Sequence, residues 1–436
     1  MNDLIIIGAG PGGYELAIKA SKSNLKTILI EKEKLGGVCL NSGCIPTKTY
    51  YYASSLIGEI KKSQNYGISS TISFDFLKLN QRKEEVVSDL VKGIDFCLNK
   101  AGVEIIYGMA KLISNDSVLV NGTVYQAKNI VIATGSHNYT IKNFEDFLTS
   151  TDILDLKTLP NSLAIIGGGV IGIEMASIFN RFGVEVTVIE AKDTILNNYD
   201  KDISNRLLSF LKAEGIKFYL NCVCKKVDNK LVINKNNEDI IIEAEKILVC
   251  VGRRPNVFNL GLEDVGIKFN EYGISVDDDF KTNIDNIYAI GDVIGKNMLA
   301  HYATYSGYHV LNKILGLESN IDFKNVPSCT FTYPEVSSVG CTEYELNQRE
   351  VKYKVFKNLY KTNGKSSSMD KTDGYVKIIV VDDIIVGGAI IGYDASTLIH
   401  ELAVLISKKI SINDIKTIIH AHPTLSEIIS NLINDI

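Results

Sequence analysis

Leu4 to Glu31 and Leu163 to Glu190 are two copies of one pattern. The first reads LIIIGAGPGGYELAIKASKSNLKTILIE; the second, 159 positions later, reads LAIIGGGVIGIEMASIFNRFGVEVTVIE. Each runs from a short apolar stretch through a G-x-G-x-x-G turn and an amphipathic helix to a second apolar stretch closed by Glu. The glycines are Gly8, Gly10 and Gly13, then Gly167, Gly169 and Gly172, and Glu31 and Glu190 each lie 18 residues past the third. In a βαβ unit the first glycine permits the tight turn and the second lets a pyrophosphate approach the backbone. The third lets helix and strand pack closely. The helix N-terminus then offers free N–H groups and a positive dipole end to phosphates, and the closing acid accepts hydrogen bonds from a ribose diol. One such turn is a weak signal. Two with identical spacing, each bracketed by strands, predict two dinucleotide sites.

Alternating strand and helix patterns fill both halves of the chain, so the expected fold class is α/β with two Rossmann-like domains. Phe76 to Lys100 is helical and charged, which suits a connection outside the sheet. Buried strands are expected at Ile130 to Ala133, Ile247 to Val251 and Ile287 to Ile290. From about Pro327 the character changes. Val376 to Val381 and Ile384 to Ile391 read as a hairpin around Asp382-Asp383, with helices after it, so this tail reads as α+β. The expected division is 1–143 and 144–266 for the two dinucleotide domains, 267–326 as a segment completing the first, and 327–436 as the tail.

Charge and hydropathy exclude several functions. Lys and Arg total 46 and Asp and Glu 51, a net charge of −5, so there is no basic excess for gripping nucleic-acid backbones. The longest apolar runs fall far short of the ~20 residues of a membrane span. The N-terminus opens into a strand with no basic region before it, so no signal peptide is expected. Eight cysteines in 436 residues do not make a disulfide scaffold. The expected compartment is the cytoplasm, where a close cysteine pair is catalytic or metal-binding before it is structural.

Such a pair stands in Leu35 to Lys48, LGGVCLNSGCIPTK, a segment that starts four residues after the first closing acid, with Cys39 and Cys44 separated by four residues. Zinc is the competing reading, but it wants two more ligands. The only other close pair, Cys222 and Cys224, has a one-residue gap and no nearby His. A small, accessible ring that opens by thiol exchange is the better reading, and no metal is expected. Cys97, Cys250, Cys329 and Cys341 read as buried, inert thiols. His420, His137, His309 and His400 read as structural.

Taken together, a dinucleotide fingerprint, a G-G-x-C-x4-C-x-P-x-K motif and a second fingerprint resemble the flavin disulfide reductases, the class I pyridine nucleotide-disulfide oxidoreductases. Further motifs resemble the dihydrolipoamide dehydrogenase branch. These are His420-Ala421-His422-Pro423-Thr424-Leu425-Ser426-Glu427, Met298-Leu299-Ala300-His301 after Asp292, and Gly252-Arg253-Arg254-Pro255-Asn256. The resemblance runs from Asp3 to about Leu432. Val38, Ser42, Thr47, Tyr302 and Tyr305 depart from the usual residues, and the chain is somewhat short for the family.

The resemblance implies a role for each motif. FAD would lie on the first fingerprint, with Glu31 on its adenosine ribose, Gly108 and Gly135 at its border, and Asp292 on its ribityl or pyrophosphate portion. Met298 to His301 would begin a helix whose positive end faces the flavin. Cys39 and Cys44 would form the redox disulfide, Cys39 exchanging with substrate and Cys44 facing the flavin. Lys48 and Glu174 would pair beside the flavin. The second fingerprint would hold NAD, with Glu190 opposing a 2′-phosphate, though Lys192 softens that opposition. Val223 and Gly252 would line the nucleotide. His422, oriented by Glu427, would act as acid–base group from the partner chain of a homodimer. The expected activity is oxidation of dihydrolipoyl groups, carried in trans by a 2-oxoacid dehydrogenase or glycine-cleavage system, with NAD⁺ reduced. Another flavin disulfide reductase, a transhydrogenase, or an idle redox-sensing subunit are the alternatives.

Overall fold

The computed structural model describes residues 1–227, 230–235 and 238–436. Its architecture is α/β with two Rossmann-like units and an α+β tail. The apolar run at Leu4 becomes the strand Asn2–Ile7, whose Leu4 to Ile7 are buried, as a parallel strand covered by helices on both faces demands. It lies between Thr27–Glu31 and Thr123–Ile132, both parallel to it, with Ile5 opposite Ile28 and Ile130. Glu104–Tyr107 extends one edge, and Ser117–Val120 and Ala110–Leu112 continue antiparallel from the other side. The distant strand Ile287–Ala289 pairs in parallel with Thr123–Ile132 and so returns to this first sheet.

The second copy builds a four-stranded parallel sheet in the order Lys217–Tyr219, Glu185–Ile189, Ser162–Ile166, Lys246–Val249. The last strand ends two residues before the expected Val251. The chain turns there into Arg253–Pro255, which pairs antiparallel with Ser136–Asn138 of the first unit. A three-stranded antiparallel sheet, Cys224–Val227, Lys230–Lys235 and Glu238–Ile242, contributes Leu231, Ile233 and Ile242 to a core shared with Ile166 and Val249.

Phe76–Ala101 is a 26-residue helix running one residue beyond the expected end. The Asp75 carboxylate caps it by accepting from Lys78 N–H at 3.0 Å. In the tail, Tyr375–Val381 and Ile384–Gly392 form the expected hairpin, turned on Asp382 and Asp383 with φ of 48° and 65°, a conformation Asp tolerates. They sit in a five-stranded antiparallel sheet covered by helix Ala395–Ser407, with Ile378, Ile390 and Leu402 in its core.

A buried charge ties the tail to the second unit. Lys377 Nζ lies 2.8 Å from Asp200, 2.9 Å from Asp202 and 2.6 Å from Glu343. These three acids have the spacing of a metal cluster, and the lysine ammonium sits among them. Among the described residues no helix is long and apolar enough to cross a membrane.

Candidate active site

The two fingerprints fold alike. A Cβ on Gly13 would stand 1.8 Å from Gly8 carbonyl oxygen, and one on Gly172 2.1 Å from Gly167 carbonyl oxygen. Helix and turn therefore pack as closely as only glycine allows. Gly10 and Gly169 instead face open space, with nothing within 4 Å of an added Cβ. Each caps the following helix, Pro11–Lys22 or Val170–Arg181, with no side-chain hydrogen bond to its first turn. The closing acids match atom for atom. Glu31 accepts from Ala9 N–H at 2.7 Å and Glu33 N–H at 2.8 Å, and Glu190 from Gly168 N–H at 2.5 Å and Lys192 N–H at 2.8 Å. Open backbone, uncapped helix start and anchored acid together fit a dinucleotide in both cradles.

The cysteine segment is pressed onto the first cradle. Gly36 N–H donates to Ala9 carbonyl at 2.8 Å, and a Cβ on Gly37 would stand 2.7 Å from Gly10 Cα. Cys39 lies on the short helix Gly37–Ser42, and Cys44 opens the helix Cys44–Lys62 after a break at Gly43. The two thus stand close enough for each to act on the other's acidity. The Cys39 hydrogen bond holds the Cys44 thiol down to about 7 against burial, with the Lys48 charge adding to it. Cys39 is pushed up by donating that bond and by burial. Cys44 is enclosed by protein atoms yet keeps an open surface; Cys39 is half-buried.

One turn past Cys44, Lys48 Nζ meets both carboxylate oxygens of Glu174, at 2.8 and 3.0 Å. Glu174 is buried and also accepts from Phe331 N–H at 2.9 Å. Asp292 lies in the turn Gly291–Ile294 after its strand and accepts from Ser136 hydroxyl at 2.6 Å. Arg253 organises this corner, donating to Ser136 hydroxyl at 2.7 Å, Ser136 carbonyl at 2.7 Å and Asn138 Oδ1 at 2.8 Å. Asn256 donates to Thr134 carbonyl at 2.8 Å. The motif Gly252 to Asn256 was legible in the sequence, but the roles of Arg253, Ser136 and Asn256 were not. Their partners stand more than a hundred residues away.

The remaining expected residues fall in three places. Met298 and Leu299 precede the helix Ala300–Ile314, whose first turn holds Ala300 and His301; the His301 ring bonds Pro327 carbonyl at 2.8 Å. Gly135 and Gly252 face open space, whereas Gly108 has a local reason to be glycine, because a Cβ would meet Asn121 and Val120 at 2.6 Å. Val223 is exposed in the loop beside Cys222, whose N–H bonds Glu190 carbonyl at 3.0 Å.

His422 is not brought to the cysteines of its own chain. Its Nδ1 lies 2.9 Å from Glu427 Oε1, and its side chain is 81% exposed. Thr424 N–H, and then His422, hold the Glu427 carboxyl below its ordinary range. His420, His309 and His137 pair with Glu401, Asp279 and Asn256 at 2.8, 3.0 and 2.8 Å. Of the four cysteines expected to be inert and buried, Cys250, Cys329 and Cys341 are half-buried, and Cys97 departs altogether: it is exposed on Phe76–Ala101, next to buried Leu98. Cys250 and Cys329 are pushed up to about 12 by burial.

Comparison with known proteins gives the same picture over the whole chain. The family model described as pyridine nucleotide-disulphide oxidoreductase matches residues 2–307, and its dimerisation domain matches 326–433. Dihydrolipoyl dehydrogenases of Staphylococcus aureus and Geobacillus stearothermophilus are each 38% identical, over 98% of this chain and 94% of theirs. The solved structure of LpdA from Mycobacterium tuberculosis superposes with a TM-score of 0.92 at 25% identity, covering 100% of this chain and 99% of the other. RclA from Escherichia coli, an HOCl-induced flavoprotein disulfide reductase, does so with 0.88 at 29% identity, covering 99% of each.

Proposed function

The chain belongs to the pyridine nucleotide-disulphide oxidoreductases, FAD-binding and pyridine-nucleotide-dependent enzymes, and we propose that within them it is a dihydrolipoyl dehydrogenase. The observation that carries the proposal is the His422–Glu427 pair, held at 2.9 Å on an exposed surface, in a chain alike end to end to enzymes of that activity. Bound FAD supplies a two-electron carrier between the thiol pair and the nicotinamide.

The chain's own residues divide the rest of the work. A substrate thiolate attacks Cys39 Sγ of the oxidised pair, the S–S bond breaks, and Cys44 leaves as thiolate. The second substrate thiol then attacks the mixed disulfide, releasing Cys39 and closing the lipoyl ring. Exposure alone would name Cys44 as the sulfur attacked. Likeness to the family assigns the exchange to Cys39 instead, and the Lys48 charge near Cys44 favours that sulfur as the departing thiolate. His422 Nε2 takes the thiol proton while Glu427 fixes Nδ1 and stabilises the cation. Lys48, paired with Glu174, sets a positive charge beside the redox site. Glu31 would hold the FAD ribose and Asp292 its ribityl or pyrophosphate portion. Met298 to His301 lead into the helix Ala300–Ile314, whose positive N-terminal end would favour negative charge on the flavin.

Glu190 favours NAD over NADP, since a carboxylate bonds a 2′-hydroxyl and repels a 2′-phosphate. The division at 143, 266 and 326 assigns FAD, nucleotide, FAD-completing and dimerisation segments. The partner chain of a homodimer covers His422, and a cytosolic lipoyl-carrying protein supplies substrate. Assaying lipoamide against glutathione disulfide, each with NADH and NADPH, tests the reading. Turnover confined to lipoamide with NADH is expected, and preference for glutathione disulfide or NADPH would overturn it.

A further inference from the structure

Phe331 stands where the tail meets the other two units. It follows the strand Ser328–Thr330, at the start of a segment lying against the helices Cys44–Lys62 and Val170–Arg181. Its backbone N–H donates to Glu174 Oε1 at 2.9 Å, and its ring centroid lies 4.1 Å from Lys48 Nζ. One residue thus touches both members of the ion pair, the acid through its amide and the ammonium through its ring face.

The ring is itself held. Tyr51, three residues past Lys48, meets Phe331 edge-on at 5.7 Å and stacks on Tyr333 at 4.6 Å. Tyr51 hydroxyl donates to Glu335 at 2.9 Å, and the Arg181 guanidinium lies 3.8 Å from the Tyr333 ring. Lys48, by contrast, has a flexible stem and a side chain 31% exposed. Glu174 is buried, but the lysine end of the pair reaches water, where charge alone holds a flexible side chain weakly. A ring face beside the ammonium adds attraction and removes the competing side-chain positions.

We propose that Phe331 is a positioning residue for Lys48, its ring holding the ammonium against Glu174 in the orientation that serves the redox site. The inference rests on the role proposed above for Lys48, and it makes that role depend on how the dimerisation unit is seated. Phe331→Leu keeps the amide and the apolar volume but removes the ring face; Phe331→Tyr and Phe331→Trp keep it. Two quantities are read on the FAD-loaded full chain: the rate of flavin reduction by NADH, and the rate at which an amine reagent modifies Lys48, followed by mass spectrometry.

Phe331→Leu should slow reduction roughly three- to ten-fold and speed Lys48 labelling, with NADH affinity and FAD content unchanged. Phe331→Tyr and Phe331→Trp should restore both rates. Wild-type rates in Phe331→Leu would overturn the proposal, as would a defect that neither aromatic variant rescues. Lys48→Met separates this from the reading beneath it. If Lys48→Met reduces at the wild-type rate, the role of Lys48 fails and the inference with it. If Lys48→Met is slow and Phe331→Leu is not, the inference alone fails.

Discussion

Two residues in this chain differ in acidity because they share one proton-donating contact. Cys39 gives its thiol proton to a hydrogen bond with Cys44, which lowers the acceptor and raises the donor. In the reduced protein, Cys44 should therefore alkylate with a midpoint near pH 7, rising as pH climbs through that value. Cys39→Ala removes the donor and should move the midpoint upward, and either Cys39→Ala or Cys44→Ala should stop lipoamide turnover. An unmoved midpoint in Cys39→Ala would assign the acidity to Lys48 and the helix start. Glu190 makes a second residue-scale prediction. Glu190→Ala should raise the KM for NADH by roughly ten-fold, the loss of a charge-assisted hydrogen bond, and narrow the preference over NADPH. Steady-state kinetics with both nucleotides checks this, and a wild-type preference for NADPH would sink the assignment.

Elements here are placed by close backbone contact as much as by side-chain packing. The Gly36-Gly37 turn brings the helix Gly37–Ser42 against the first cradle, at a position where Gly37 has φ of 59° and almost no room for a Cβ. Gly37→Ala should push the cysteine helix away from Gly10 while leaving the sheet intact. The expected result is weaker FAD retention on gel filtration and at least ten-fold slower lipoamide reduction, with a destabilisation of about 1–2 kcal/mol. Full FAD content and wild-type activity in Gly37→Ala would show that the turn does not set the distance between cradle and thiols.

At the scale of the whole molecule, Lys377 joins the tail to the second unit, and its charges make that joint sensitive to pH. Burial disfavours the ammonium, yet the bonds it donates to Asp200, Glu343 and Asp202 outweigh it and lift Lys377 to about 12. Burial likewise opposes the Asp202 carboxylate, but Lys357 and Lys377 hold it at about 2, below the ordinary 3.8. A carboxyl lowered on folding contributes stability above its unfolded value and loses it as pH falls toward the folded one. Melting temperature should therefore drop between about pH 4 and pH 2, and on the lysine side above about pH 10.5. Lys377→Met should cost roughly 3–5 kcal/mol at neutral pH, because it leaves three acids facing one another. A melting curve unchanged by Lys377→Met would remove the joint from the account. The dimer makes the last prediction. Cys39→Ser and His422→Gln chains, each inactive alone, should regain up to half of wild-type activity per mixed dimer, because one site then carries neither lesion. Inactive mixed dimers, with wild-type chains surviving the same treatment, would place the whole site within one chain.

Periodicity and local spacing settle what is local. The repeated glycine turns, the closing acids and the Asp382-Asp383 hairpin each depend on residues within about thirty positions, so the sequence alone determined the two α/β units and the α+β tail. Motif resemblance reached further, naming Lys48 with Glu174 and His422 with Glu427 before any contact was visible. Contacts across long stretches of chain carry no periodic signal. Only the tertiary structure placed Phe331 on Lys48, Arg253 on the Ser136–Asp292 corner, and Lys377 between Glu343 of its own tail and two acids of another unit. It also turned Cys97 outward, since a helix residue's exposure follows from which face its neighbours cover. Turn chemistry is written in consecutive residues; which side chains share a charge is decided by how the units pack.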